Sequence, residues 1–317
     1  MLLIGKRLLQ LVVVFVCVTF FTVALMSLVP GKPEVLVIPF DSSGHQREDF
    51  RRDNHLDRPL VVQWGYWAKD FVRGDMGDYY TSTNTKPVST RIGAALPISL
   101  LLILYVQLVS LGIAIPLAVW AAYKSGSRAD KLFNTGAFGC ISLPGFAIAL
   151  IVTYVFGVQL DLIPTDGYVA PSDGLSEHFR HMVAPVLALS LGQIAVYMRL
   201  LRSDLVSTLQ EDFILMAKAK GISNRRVLWR HALRPSSLTL LTVAGLSVGT
   251  LIGGALVVEY LLRIPGMGTV IGEAVITHQY VALQSSVALI AIFFVLLNFL
   301  IDYLYTVLDP RIRERRS

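Results

Sequence analysis

Long apolar runs alternate along this chain with polar segments, and the first run, Leu8 to Val29, contains no charged residue. A helix of about 20 apolar residues crosses a bilayer, so this run is long enough. A cleavable leader would have a shorter apolar core and a small-residue cleavage site. Neither precedes Pro30, and the run reads as a retained first helix. Further runs near Gly93–Tyr123, Leu132–Leu160, Met182–Leu201, Leu238–Val258 and Leu283–Leu308 predict five more spans. Pro97, Pro116, Pro144 and Pro185 lie in or at the ends of them, as bundled membrane helices allow.

Two polar segments stand out. Residues 30–92 carry nine basic and nine acidic residues, so they have no net sign. Pro30, Gly31, Pro33 and Pro39 break regular structure at the start. Val61, Trp64, Trp67, Ala68 and Phe71 then recur at helical spacing, predicting a short amphipathic helix. Its tryptophans suit either an interfacial belt or a small extramembrane core.

The second segment, Asp204 to Pro235, has the strongest internal pattern. Leu205, Leu209, Phe213, Met216 and Ala217, then Val227 and Leu228, fall at helical spacing. Gly221, followed by Ile222 and Ser223, signals a helix stop and a fresh start. The pattern predicts two short amphipathic helices joined at a glycine and standing proud of the membrane. Such a knuckle suits docking into a groove on another protein, although a solvated loop fits the spacing as well.

Composition changes the picture by fixing the class. Of 317 residues, 54% are hydrophobic and 16% charged, where a soluble domain carries about 25% charge. The expected fold is an all-α integral membrane protein of six transmembrane helices. The formal charge of +6 fits Lys and Arg held on one side of a bilayer and gives no reason to infer nucleic acid. Segments after spans two, four and six are basic, and those after spans three and five are acidic. Lys124, Arg128 and Lys131 contrast with Asp161, Asp166, Asp173 and Glu177. This asymmetry puts both termini and the 204–235 knuckle in the cytoplasm and residues 30–92 outside. The chain then divides into residues 1–29 (terminus and first helix), 30–92 (extracytoplasmic segment) and 93–317 (five-helix core).

Candidate chemistry is sparse. No GxxxxGK[ST] phosphate loop occurs, and no Ser-His-Asp or Cys-His order can be argued. Cys17 and Cys140 lie inside apolar runs and read as small buried hydrophobes. His178 and His181 would share a helical face, but a metal needs more converging ligands, and a solvated or interfacial pair is the expectation. Asp302, with Asn298 one turn earlier, suits a polar helix–helix contact, and the scarcity of intramembrane charge argues against a proton relay. The fifth span carries Gly245, Gly249 and Gly253 every four residues, with Gly254 beside the last. That bare stripe serves either helix packing or a pore-lining helix that slides. Glu259-Tyr260 and Arg263-Ile264-Pro265-Gly266-Met267-Gly268 follow as an outer turn and candidate gate.

These residues resemble the dipeptide/oligopeptide/nickel permease family of bacterial ABC importers, the knuckle EDFILMAKAKGISNRRVLWRHALRP being similar to its coupling loop. Asp57-Arg58-Pro59-Leu60, Arg73-Gly74-Asp75-Met76-Gly77, Leu143-Pro144 with Phe146, Ile163-Pro164, Gly167-Tyr168, Glu259-Tyr260 with Ile264-Pro265-Gly266-Met267-Gly268, and Leu308-Asp309-Pro310-Arg311 match it in the same order. The general importer motif of Glu-Ala-Ala, three residues, then Gly is met only at Ala217 and Gly221, with Leu215 and Met216 in the other positions. The long outer segment resembles the B-type subunit.

The resemblance implies a non-enzymatic permease subunit of the bacterial plasma membrane, forming half of a translocation path by alternating access. Its implied partners are a second homologous permease, two ATP-binding subunits, an extracytoplasmic substrate-binding protein and membrane lipid. It implies no cofactor of its own, ATP and Mg being held by the ATPases. Coupling is implied for Glu211, Asp212, Phe213, Met216, Ala217, Lys218, Ala219, Lys220 and Gly221, and a gate for Gly245, Gly249, Gly253, Gly254 and Glu259. Di- and oligopeptides are the implied substrates. Nickel or another small solute, a secondary transporter, and a membrane scaffold stay open as alternatives.

Overall fold

The computed structural model describes residues 2–28, 51–52, 55–80 and 85–308. The described residues form helices α1 (Leu2–Leu28), α2 (Leu60–Val72), α3 (Val88–Tyr123), α4 (Arg128–Ser142), α5 (Gly145–Val152), α6 (Leu175–Thr208), α7 (Asp212–Ala219), α8 (Asn224–Leu261), α9 (Met267–Ile276) and α10 (Tyr280–Leu308). A two-stranded antiparallel ribbon, β1 (Asp78–Tyr80) with β2 (Thr85–Pro87), precedes α3 and pairs Tyr79 with Lys86. Helices α1, α3, α6, α8 and α10 are each long and apolar enough to span a membrane. Helix α4 and α5 with its π-helical continuation Thr153–Gln159 pass the same test only together; they are bent by 100° to one another and make a sixth span if the bent pair is counted as one.

The bend has a local cause. Leu143 precedes Pro144 and is extended at φ −100° and ψ 134°, because the proline ring excludes the helical region from the residue before it. Pro235 leaves a softer mark. It cannot donate to the carbonyl one turn back, and the helix widens to a π-turn at Val227–Ala232 just before it.

The chain groups into two compact units, Met1–Ser99 with Pro265–Tyr303, and Leu100–Ile264 with Leu304–Ser317. In the first, α2 packs on α1. Trp67 is buried, stacks on Phe15 with centroids 5.9 Å apart and donates to Ser285 Oγ at 3.0 Å; Trp64 donates to Thr19 Oγ1 at 2.9 Å. Trp67 is thereby part of a helical core and Trp64 half-buried at its edge. The ribbon is held by Gln279, which accepts from Tyr80 N and donates to Tyr80 O, and by Arg91 lying 3.9 Å over the Tyr79 ring and 2.5 Å from Glu273.

In the second unit the core follows small residues. Ala114, Ala118 and Ala122 form a buried stripe on α3, packed with Ala195, Tyr197, Met198, Leu201 and Leu205 of α6 and with Leu240 and Ala244 of α8. Four-residue spacing of alanine lets helix backbones approach closely. Tyr197 donates to Gln107 Oε1 at 2.9 Å and bonds Ser247, while Gln107 donates to Ala244 O at 2.8 Å. Three apolar helices are thereby tied by a satisfied polar network.

Candidate functional site

The knuckle is built into the second unit's core. After α6 the chain turns through Leu209 and Gln210, and Glu211 takes the extended N-cap conformation of α7 (φ −70°, ψ 148°). Asp212 then sits in the first turn and Lys218 in the last, each on the end that the helix dipole favours. The helix is closed by two bonds, Ile222 N to Ala217 O at 3.2 Å and Gly221 N to Lys218 O at 2.9 Å. With Gly221 at φ +75° this is a Schellman cap. A Cβ at Gly221 would meet nothing within 4 Å, so glycine is needed there for its backbone angle.

The faces of α7 differ from the sequence expectation. Ile214, with no exposed surface, and Ala217 point into the core beside Leu205, Val227 and Leu228. Phe213, Leu215 and Met216 face out, Met216 with 59% of its surface exposed. Lys218, Ala219, Lys220 and Gly221 are exposed beside them. The sequence spacing places Phe213 and Met216 on one stripe with Leu205 and Leu209, but the turn at Leu209–Glu211 resets the helical phase. A second correction concerns the other arm. Residues after Gly221 make no short free helix: from Asn224 they are the first turns of α8, with Val227, Leu228 and Ala232 buried. Apolar contact runs unbroken from that arm into the span, so there is no surface at which a separate helix would end.

An ion pair missed in the sequence braces this region. Arg202, near the end of α6, grips Asp130 at the start of α4, with Nε to Oδ1 and Nη2 to Oδ2 both at 2.5 Å. Asp130 is 3% exposed and also accepts from Gly126 N at 2.9 Å. Such two-pronged Arg–carboxylate pairs fix orientation as well as adding energy. Both residues read simply as loop charges in the sequence, since nothing in a linear pattern pairs positions so far apart.

The glycine stripe splits in its environment. Gly245 and Gly249 are half-buried. Gly254 packs against Leu189 of α6, where a Cβ would stand 3.4 Å from its Cδ2, while a Cβ at Gly253 would meet nothing within 4 Å. Glu259 has no exposed surface, and its carbonyl accepts from Ile264 N at 2.9 Å, closing the turn after α8. Arg263 in that turn lies 3.4 Å from Asp166, and Leu262 O accepts from Gly167 N at 2.9 Å.

Of the expected solvated or interfacial pair, His178 departs from the solvated form. It is wholly buried, with Nδ1 donating to Val169 O at 2.7 Å and Nε2 hydrogen-bonded to the Tyr105 hydroxyl at 3.2 Å. His181 is half-buried and bonds Glu177 O. Burial holds the nearby Tyr168 phenol above its ordinary value, with Tyr105 and Asp173 adding to it. Asn298 donates to Phe294 O of its own helix; the Asp302 side chain lies outside the described residues.

Comparison with known proteins places this arrangement. Residues 114–314 match the family model described as "Binding-protein-dependent transport system inner membrane component". The chain is 31% identical over 309 residues to the oligopeptide transport system permease protein AppB of Bacillus subtilis, covering 97% of this chain and 98% of that one. It is 30% identical over 329 residues to the dipeptide transport system permease protein DppB of Alkalihalophilus pseudofirmus, again 97% and 98%. A "Probable peptide ABC transporter permease protein" of Sinorhizobium fredii is 31% identical over 309 residues, with the same coverage. The matched region holds the knuckle, the Asp130–Arg202 brace and the glycine stripe, and the relatives match end to end. The chain belongs to the binding-protein-dependent transport system inner membrane component family and is a multi-pass permease subunit of an ABC transporter.

Proposed function

We propose that this permease carries di- and oligopeptides inward, with α7 as the coupling helix on which a partner ATPase docks. The observation that carries the docking role is the division of α7: Ile214 and Ala217 root it in the bundle, while Phe213, Leu215 and Met216 are displayed among Lys218 and Lys220. Exposed apolar side chains on a polar, basic segment mark a protein contact, and a short helix with one anchored face transmits a push to the spans beneath it. Glu211 and Asp212 start that helix and Gly221 ends it. The peptide assignment follows the names of the full-length relatives.

In this reading both termini and α7 are cytoplasmic and residues 30–92 are outside, in accord with the charge asymmetry of the loops. Two ATP-binding subunits hold ATP and Mg. A second homologous permease completes the path, and an external binding protein delivers the peptide. Gly253, with open space over its face, suits contact with the path or with the second permease; Gly245, Gly249 and Gly254 let α8 shift against its neighbours. Glu259 positions the outer turn at the gate.

Reconstitution of the complete transporter tests the proposal. Phe213→Ser with Met216→Ser should abolish ATP-driven peptide uptake into vesicles, with the permease still inserted and folded. Unimpaired uptake by that double variant contradicts the docking role. Full uptake of a nickel salt and none of any peptide contradicts the substrate.

A further inference from the structure

Two grooves meet at Trp229, and they have opposite character. One, of about 570 Å³, is lined by Ser223, Arg225, Arg226, Trp229 and Arg230. The other, also about 570 Å³, is apolar and runs along Leu117, Trp120, Tyr123, Phe133 and Leu228 to the same tryptophan. Both lie within the second compact unit, at the end of α8 where the apolar span begins. The three arginines and Trp229 are exposed. Among the described residues no acidic side chain lines the basic groove, and none of the three arginines is in an ion pair. Trp120 stands edge-on to Phe133 at 5.0 Å and carries Lys124 over its face, also at 5.0 Å, which places a fourth cation on the apolar groove's rim.

We infer that this paired groove is a binding site for an anionic phospholipid, its phosphate held by Arg225, Arg226 and Arg230 and an acyl chain laid along the Trp120–Phe133 groove. Guanidinium groups match phosphate oxygens in geometry and are weakly hydrated, so they suit a headgroup at a membrane surface. Tryptophan at the junction is the side chain that prefers the boundary between hydrocarbon and headgroups. Basic pockets beside membrane helices hold anionic headgroups by the same charge complementarity. A cytosolic anion alone gives no use to the apolar half, and an apolar partner helix gives none to the arginines. A lipid bound here touches α8 just after the knuckle, where it would brace the arm through which α7 acts.

The test uses the full chain in nanodiscs of phosphatidylcholine containing a minority of brominated phosphatidylglycerol or brominated phosphatidylcholine, with tryptophan fluorescence as the readout. Brominated phosphatidylglycerol should reach half-maximal quenching at a mole fraction about tenfold lower, since each cation near an anionic headgroup contributes several-fold. Trp229→Phe should remove most of the excess quenching, and Arg225→Gln, Arg226→Gln and Arg230→Gln together should abolish the preference. Circular dichroism confirms that the variants are folded. Should the triple variant fail to fold, raised salt on the native chain should shrink the preference through screening. Equal quenching by the two lipids in the native chain overturns the inference. So does a folded triple variant that keeps the preference but loses its ATP-binding partner, which assigns the arginines to that protein.

Discussion

Single residues in this chain divide between holding the knuckle and presenting it. Gly221 holds it by its backbone angle: φ +75° costs an L-residue about 1–2 kcal/mol, and more if the side chain is β-branched. Gly221→Val should therefore unravel the cap and uncouple ATP hydrolysis from uptake, whereas Gly221→Asn should keep both, asparagine being tolerant of that region. Uptake assays on the two variants separate them, and equal coupling in both contradicts the cap's role. Asp130 holds the neighbouring elements. Removing one partner of a largely buried ion pair costs about 3 kcal/mol, so Asp130→Asn should lower the thermal midpoint of the purified permease by several degrees. Changing Arg202→Met in the same chain should recover part of that loss, because it also removes the stranded cation.

At the scale of elements, the apolar runs were legible because lipid demands a long uncharged stretch, and the five long helices and the bent α4–α5 pair lie where that demand puts them. Their internal departures were less so. Pro144 announced a kink but not a bend of 100°, and the merging of the second arm into α8 depended on Val227, Leu228 and Ala232 finding partners on other helices. Helical spacing identified the apolar members of the knuckle but could not say that Ile214 faces in and Phe213 out, because the phase is reset by an irregular turn. The burial of His178 and the pairing of Asp130 with Arg202 were invisible for a related reason: both depend on which helices meet. Since α7 is rooted mainly by Ile214 and Ala217, Ile214→Ala should cost about 2–4 kcal/mol. Hydrogen exchange should then show lost protection across residues 212–222, with α3 and α6 unaffected. Loss spread evenly over the bundle would mean that α7 is no separate rooted element.

The molecule as a whole is a helical membrane permease subunit of a binding-protein-dependent transport family, with no GxxxxGK[ST] loop in its sequence. The role we propose for its knuckle is that the outward face of α7 receives the ATPase. The most direct measurement places the photo-crosslinker p-benzoylphenylalanine at Met216, which is exposed, and separately at Ala217, which faces the core. Cells expressing the complete transport operon are then irradiated. Met216→p-benzoylphenylalanine should give an adduct with an ATP-binding subunit of the operon, with a yield that changes when ATP is depleted. Ala217→p-benzoylphenylalanine should give adducts within the permease itself. Absence of any ATPase adduct from Met216, in cells where the assembled transporter is active, contradicts the account.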